Sequence, residues 1–137
     1  MGDSMVGIVI VSHLKLAEEM LKTAELIVGP IKSAKALSLD PKKDVDVMRN
    51  EIKKAIKDVQ TGEGVIVLTD MFGGTPSNLA LTFLDAGIEV ISGFNLPMLI
   101  KIATHREGLD VTELALIAKK YGISNINVAT EFLSTKK

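Results

Sequence analysis

The sequence predicts an α/β protein in which a small, mostly parallel sheet is covered by helices on both faces. Residues 6–11 and Val65–Thr69 are short, largely apolar runs rich in β-branched residues, as in strands buried on both faces. Helical patterns alternate with these strand patterns, which is typical of parallel sheets. Because both faces must be covered, the direction in which strands are added to the sheet reverses once, and we expect the strand order 2-1-3-4.

In the first half of the chain, segments with the apolar spacing of a strand alternate regularly with segments that have the apolar spacing of a helix. An apolar stripe of helical spacing follows the first strand, and Gly29 and Pro30 end it. Ala34–Leu39 alternates only partly between apolar and polar residues, which predicts an edge strand. The clearest helical stripe comes next, at Val45, Met48, Ile52, Ile56 and Val59.

The chain turns after the third strand and then returns to helical spacing. Residues 70–74 contain two adjacent glycines, which predicts a turn. Thr75 is a suitable N-cap for the following helix, and Pro76 suits its first position. The inner face of this helix is expected at Leu79, Ala80, Phe83 and Leu84.

The C-terminal third predicts a strand, two helices and a last strand. Ile88–Ser92 is the fourth strand. Asn95 and Asp110 are suitable N-caps for the two helices, and Gly122 is expected to end the second. Residues 123–128 predict an irregular fifth strand.

Composition narrows the function. The 137 residues are enough for one domain, and we find no repeat or linker. The 16 Lys plus Arg nearly balance the 17 Asp plus Glu, giving a net charge of −1 that argues against a nucleic-acid-binding protein. Cysteine is absent and only two histidines are present, so disulfides and cysteine-ligated metals are excluded and a multi-histidine zinc site nearly so. We expect neither a metal nor a cofactor.

The start of the chain and its longest uncharged run bear on location. Residues 1–4 lack the basic start of a secretory leader and are consistent with an expression remnant before Met5. The longest uncharged run, residues 71–84, contains two glycines and a proline and is shorter than the roughly 20 apolar residues of a membrane span. We therefore expect a cytoplasmic protein.

Two polar side chains follow the two central strands. His13 comes directly after the first strand and Asp70 directly after the third. Ligands bind at the carboxyl ends of the strands beside the reversal of strand order, so we expect these two side chains to lie together there. A carboxylate that accepts the N–H of one imidazole nitrogen leaves the lone pair of the other free to act as a nucleophile.

The turn after Asp70 borders the same crevice. Gly73 and Gly74 allow close approach to the backbone, and the helix that starts near Thr75 offers free N–H groups to an anion. A histidine, a carboxylate that orients it and an anion-binding site together suggest a phosphohistidine, which holds a phosphoryl group in a form that can be transferred onward.

Each of these residues also has a purely structural interpretation. Asp70 could merely bond N–H groups in its own turn, and the Gly-Gly-Thr-Pro stretch is largely explained by turn and cap chemistry. Phe72 could contact a partner at the rim of the site or simply cover the helix. A lone histidine after a strand is more often structural, and for His105 we expect a solvated helix end.

Three motifs in the same order resemble the mannose-type IIA component of the bacterial sugar phosphotransferase system, the mannose/fructose/sorbose family. They are residues 7–13 with 17–24, residues 67–78 and residues 93–99. The resemblance covers residues 6–129 and implies one such IIA domain over residues 1–137. It further implies that His13 is phosphorylated, that Asp70 is its hydrogen-bond partner and that Thr75 lies near the phosphate.

The resemblance also implies partners. The phosphocarrier protein HPr, phosphorylated on histidine, would donate to His13, and His13 would pass the group to a IIB component. A membrane IIC/IID pair would carry the sugar, whose identity the sequence does not give. The family is dimeric with its last strand exchanged between subunits, for which Ile123, Ile126 and Val128 are the candidates here.

Three alternatives remain at this point. The IIA-like subunit of dihydroxyacetone kinases shares the fold and the first histidine but usually lacks the pattern seen after the third strand. A two-component receiver domain needs an acidic pair after the first strand to hold magnesium, whereas this chain has Ser12 and His13 there. A non-catalytic regulatory dimer of the same fold would differ only in passing no phosphate to an acceptor.

Overall fold

The computed structural model of this chain describes residues 4–134. Within them the chain alternates strand and helix as the apolar periods predict. The strands are β1 Gly7–His13, β2 Ala34–Leu39, β3 Val65–Thr69 and β4 Ile88–Ser92. The helices are α1 Leu16–Val28, α2 Val45–Val59, α3 Thr75–Leu81, α4 Leu96–His105, α5 Val111–Ser124 and α6 Ala129–Ser134. The interpretation of residues 1–4 as an expression remnant falls mostly outside the described residues.

The four strands form one sheet in the order β2-β1-β3-β4, and every neighbouring pair is parallel. This is the predicted order. The central strands β1 and β3 are fully buried except at His13, which accounts for their unbroken apolar sequences. Their register pairs Val11 with Thr69, so the residues that follow on the two strands emerge together at one end of the sheet.

Successive side chains of the central strands point to opposite faces and divide the core in two. Ile8 and Ile10 of β1 pack in the layer that also contains Leu99, Ile102 and Leu114 of α4 and α5. Val9 and Val11 pack in the layer that contains Met48, Ile52 and Leu79 of α2 and α3. Both faces of the sheet are therefore covered, as predicted.

The start and end of α3 differ from the prediction. Gly74, with extended backbone, occupies the N-cap position, and Thr75 is the first residue of the helix, with no side-chain capping bond. The carbonyl of Gly74 accepts the N–H of Asn78 at 2.9 Å, so the helix gains its first turn without help from the threonine hydroxyl. The helix ends at Leu81, so Phe83 and Leu84 lie beyond it, and Leu84 is exposed.

The predicted fifth strand is wrong for the single chain. Helix α5 continues past Gly122 to Ser124, and residues 125–128 connect it to α6 without forming a strand. Gly122 lies inside α5 and does not adopt the positive φ of a glycine that ends a helix, so α5 continues through it. The absence of a side chain there leaves room for α4. A Cβ atom there would lie 2.8 Å from Cε of Met98, and its carbonyl accepts the side-chain N–H of Asn95 at 3.0 Å.

A buried arginine joins two strands at the end of the sheet opposite His13. The Arg106 guanidinium, which the sequence did not single out, donates hydrogen bonds to the carbonyls of Lys32, Val6 and Ser33. These carbonyls lie just before β1 and β2, so one side chain joins the starts of two neighbouring strands. Burial lowers the pKa of Arg106, and the nearby charge of Glu107 opposes that shift.

None of the helices in residues 4–134 is both long enough and apolar enough to cross a bilayer.

Candidate active site

His13 and Asp70 lie together at the carboxyl end of the two central strands, as predicted. The backbone N–H of His13 donates to Oδ2 of Asp70 at 2.8 Å, and Nδ1 of the imidazole lies 2.8 Å from the same oxygen. The Asp70 side chain is 10% exposed and the His13 side chain 46% exposed. One carboxylate oxygen therefore fixes both the backbone and the ring of the histidine, while the outer side of the ring faces solvent.

The carboxylate is itself held in place and kept ionised. Its second oxygen, Oδ1, accepts the N–H of Met71 at 2.9 Å. Burial pushes the pKa of Asp70 up, but the hydrogen bonds and charge of His13, with the Met71 N–H, outweigh burial and lower that pKa below its ordinary value. A carboxylate only accepts hydrogen bonds, so Nδ1 of His13 carries a proton, and in the neutral imidazole Nε2 is the nitrogen with the lone pair.

The two glycines of the turn serve different purposes. A Cβ atom on Gly74 would lie 2.9 Å from Cε1 and 3.5 Å from Nε2 of His13, so the imidazole packs directly on this backbone. The φ angle of Gly74 is −86°, which any residue adopts, and close approach alone requires glycine there. Gly73 has a φ of +87° with open space around its Cα, so the left-handed turn requires it.

The remaining predicted site residues lie on the same turn. Thr75 is exposed at the first position of α3, immediately after the glycine that touches the ring. Phe72 is 75% exposed at the turn. It lines a cleft together with Leu81, residues of β4 and residues of α5, on the side of the turn toward the free edge of the sheet.

Ser12 supports the histidine from behind, which sequence reasoning did not identify. Its hydroxyl is fully buried, accepts the N–H of Ala17 at 2.7 Å and donates to the carbonyl of His13 at 3.1 Å. It thus joins the first turn of α1 to the residue that carries the imidazole. The sequence offered one indication of this role: Ser12 is a polar residue within an otherwise apolar strand and precedes the alanine at position 17 by five residues.

A chain of hydroxyl groups lies beneath the start of α3 and was also missed. Oγ1 of Thr69 donates to Oγ of Ser92 at 2.8 Å, and Oγ of Ser77 lies 3.0 Å from that same Ser92 oxygen. Thr69 and Ser77 are fully buried. The carboxyl ends of β3 and β4 are thereby tied to the first turn of α3, which sets where that turn stands relative to Asp70.

His105 is far from this arrangement along the fold. It ends α4, is exposed, and its Nδ1 lies 2.9 Å from Oγ1 of Thr104. The next residue, Arg106, bonds the carbonyls at the opposite end of the sheet. Among residues 4–134 there is also no cluster of three or more acidic or histidine side chains that would hold a metal ion.

Comparison with known proteins places this chain in one family. The family model described as "PTS system fructose IIA component" matches residues 7–119. The chain belongs to this family. The resemblance inferred from three sequence motifs is therefore confirmed, and the protein is a mannose-type IIA component of a sugar phosphotransferase system.

Individual relatives agree with the family assignment. The IIA component is 26% identical over 135 residues to the fructose-specific EIIA component of Bacillus subtilis, covering 97% of this chain and 92% of that one. It is 31% identical over 104 residues to the mannose-specific EIIAB component of Escherichia coli K12, covering 74% of this chain and 32% of that longer one.

A solved structure shows the same fold. The mannose/sorbose-specific IIA subunit from Enterococcus faecalis superimposes with a TM-score of 0.80 at 27% identity, over 90% of this chain and 93% of that one. The parallel order β2-β1-β3-β4 with flanking helices is thus the fold of the family.

The two glycines of the turn allow a matched test. We expect Gly74→Ala to push the imidazole of His13 off the turn and weaken its bond to Asp70, with little change in the free energy of unfolding. We expect Gly73→Ala to leave the ring in place and lower that free energy by about 1–2 kcal/mol through left-handed strain. Nitrogen NMR of the imidazole, which reports the tautomer, and urea unfolding would separate the two. An unperturbed tautomer in Gly74→Ala would contradict the close packing.

The lowered pKa of Asp70 predicts a pH-dependent contribution to stability. A carboxyl whose folded pKa is depressed stabilises the fold above its unfolded pKa of about 3.9, and that contribution is lost as pH falls through the folded pKa. We therefore expect Asp70→Asn to be less stable than the unchanged chain at pH 6, with the difference shrinking toward pH 2.5. Asp46→Asn, at an exposed carboxylate of α2, is the control. A difference that stayed constant with pH would contradict the ionic role of Asp70.

Proposed function

We propose that this IIA component carries a phosphoryl group on Nε2 of His13, accepts it from phosphorylated HPr and passes it to a IIB component. The observation that supports this most directly is the pair of bonds from His13 to one oxygen of Asp70. They hold the ring in one orientation and one tautomer, with its nucleophilic nitrogen on the exposed side. A relay protein needs that geometry, because two different partners must reach the same atom.

All bonds, electron pairs and protons of the phosphoryl transfer are accounted for without a cofactor. The lone pair on Nε2 of His13 attacks phosphorus as the P–N bond to the donor histidine breaks, and that bond's electron pair returns to the donor ring. The proton on Nδ1 of His13 stays in its hydrogen bond to Asp70. The phosphorylated imidazole then bears positive charge, which the adjacent carboxylate stabilises. Attack by a nucleophile of the IIB component reverses these changes and restores the neutral ring.

The turn after Asp70 supplies the seat for the phosphoryl group in this proposal. Gly74 lies against the Cε1–Nε2 side of the ring, so a group on Nε2 stands beside the backbone that opens α3. The exposed hydroxyl of Thr75 is the nearest side chain along that backbone able to donate a hydrogen bond. Pro76 follows and has no N–H. The hydroxyl chain through Ser77 holds this turn in position.

We propose that the sugar itself is handled elsewhere in the system, by membrane IIC and IID components that follow IIB. The His13 side chain is 46% exposed, which suits contact with another protein rather than enclosure of a sugar. The names of the relatives, which include fructose, sorbose and mannose, indicate the class of hexose to test first.

We further propose that the chain forms a homodimer through its free sheet edge and C-terminal segment. Strand β4 pairs only with β3 within the described residues, so its outer edge has unpaired backbone groups. The apolar side chains of Ile123, Ile126 and Val128 are all exposed, and the first two line the cleft beside that edge. Exchange of this segment with a second copy would cover both features.

Replacing each histidine in turn tests the phosphoryl site. We expect His13→Ala to abolish uptake of acid-labile phosphate from phosphorylated HPr while the fold is retained, because the ring is exposed and bonded only at the crevice. We expect His105→Ala to be phosphorylated at the unchanged rate. Radiolabelled phosphate transfer, followed by peptide mapping, measures both. Label on His105, or uptake by His13→Ala, would refute the mechanism, and uptake without onward transfer to any IIB component would favour the regulatory alternative.

The dimer is tested at the exposed apolar segment. We expect the full chain to sediment as a dimer at micromolar concentration, and the double variant Ile126→Ser, Val128→Ser to shift toward monomer because it removes apolar surface from the contact. Leu26→Ser, at a still more exposed apolar position on α1, is the control and should remain dimeric. A monomeric full chain would remove the proposal.

A further inference from the structure

Leu14, the residue directly after His13, stands in an unfavourable backbone conformation. Its φ is +48°, in the left-handed region, where a side chain costs roughly 1–2 kcal/mol that glycine avoids. Within residues 4–134 the only other non-glycine residue with positive φ is Ser33, whereas seven glycines adopt such values. The turn after β1 would therefore form more readily with glycine at this position.

The interior of the protein does not account for a leucine there. The Leu14 side chain is 70% exposed and belongs to neither layer of the core. The buried Ser12 hydroxyl reaches the carbonyl of Leu14 at 3.4 Å, but this contact involves backbone and is indifferent to the side chain. Most of the side chain of this strained leucine, next to His13 in sequence, is therefore left exposed by its own chain.

The surroundings of Leu14 form a shallow cleft of mixed character. Leu14, Leu39 and Pro41 supply its apolar surface, and Lys15 and Lys42 stand on it with one acidic residue, Asp40. One oxygen of Asp40 is engaged by the backbone N–H of Lys42 at 2.9 Å. The register of β1 with β2 pairs His13 with Leu39, so the cleft adjoins the phosphoryl site. Ser38, which also lines the cleft, donates to Oε2 of Glu18 at 2.6 Å, so a second carboxylate lies beside the two lysines.

We propose that Leu14 is a docking residue for the protein that donates the phosphoryl group to His13, packing into an apolar depression on that protein. This rests on the proposed function. A donor must bring its phosphorus to about 3–3.5 Å from Nε2, so its surface covers the residues that flank the histidine. The donor arrives bearing a phosphoryl group, which an unphosphorylated acceptor lacks, and Lys15 and Lys42 beside the site attract that group.

The two left-handed residues provide a matched pair of variants. Leu14→Gly and Ser33→Gly relieve the same backbone strain, but Ser33 precedes β2 at the opposite end of the sheet. We expect both to be at least as stable as the unchanged chain by urea unfolding. We expect only Leu14→Gly to raise the KM for phosphorylated HPr, by about tenfold, since a buried leucine side chain contributes an affinity of that order or more. Leu14→Met, which keeps the apolar bulk, should recover most of the affinity.

A small phosphoryl donor separates docking from positioning of the histidine. Phosphoramidate phosphorylates imidazoles without a protein surface, so the ratio of the protein-donor rate to the phosphoramidate rate should fall about tenfold in Leu14→Gly and stay unchanged in Ser33→Gly. Equal losses with both donors would show that Leu14 positions His13 and would overturn the docking role, as would an unchanged KM. If the unchanged chain took phosphate from phosphoramidate but not from HPr, the proposed function itself would fall.

Discussion

A single carboxylate oxygen of Asp70 accepts two hydrogen bonds from His13, and the site is organised around this interaction. It requires that two residues far apart in sequence end adjacent parallel strands at the same height, which the β1–β3 register provides. The two central strands in turn require helices on both faces, because their side chains are buried on both sides of the sheet everywhere except at His13. The sheet, its two core layers and the crevice are thus linked to one short contact between a carboxylate and a histidine.

Much of this arrangement follows from the sequence by elementary physical chemistry. Apolar period and β-branched content give the strands and helices, and the need to cover both faces gives the strand order, which brings His13 and Asp70 together. What the sequence did not reveal depends on contacts between distant elements. Gly122 indicated a helix end by its type alone, but in the structure it lies inside α5, where the lack of a side chain leaves room for Met98 of α4. The helix runs on to Ser124, and the strand expected at residues 123–128 does not form in the single chain.

The missed residues share a second physical cause. Ser12, Ser77 and Arg106 are polar side chains that are buried, and burial of a polar group is favourable only when specific partners satisfy it. Those partners are backbone atoms or hydroxyls brought near by tertiary structure, which periodicity does not describe. The two ends of the sheet differ accordingly: hydroxyl groups fasten the end that bears the histidine, and a guanidinium fastens the other.

The two hydrogen bonds from His13 to Asp70 have a consequence for the order of events in the proposed relay. Because the ring is fixed relative to its own backbone, it cannot swing between two docking positions as a hinged arm would. Donor and acceptor must therefore approach along one direction and occupy the same surface, so they exclude each other. The carrier then works by alternation, and its throughput is limited by how quickly one partner leaves and the next arrives. Weak, rapidly reversible association with each partner suits such a device better than tight binding to either.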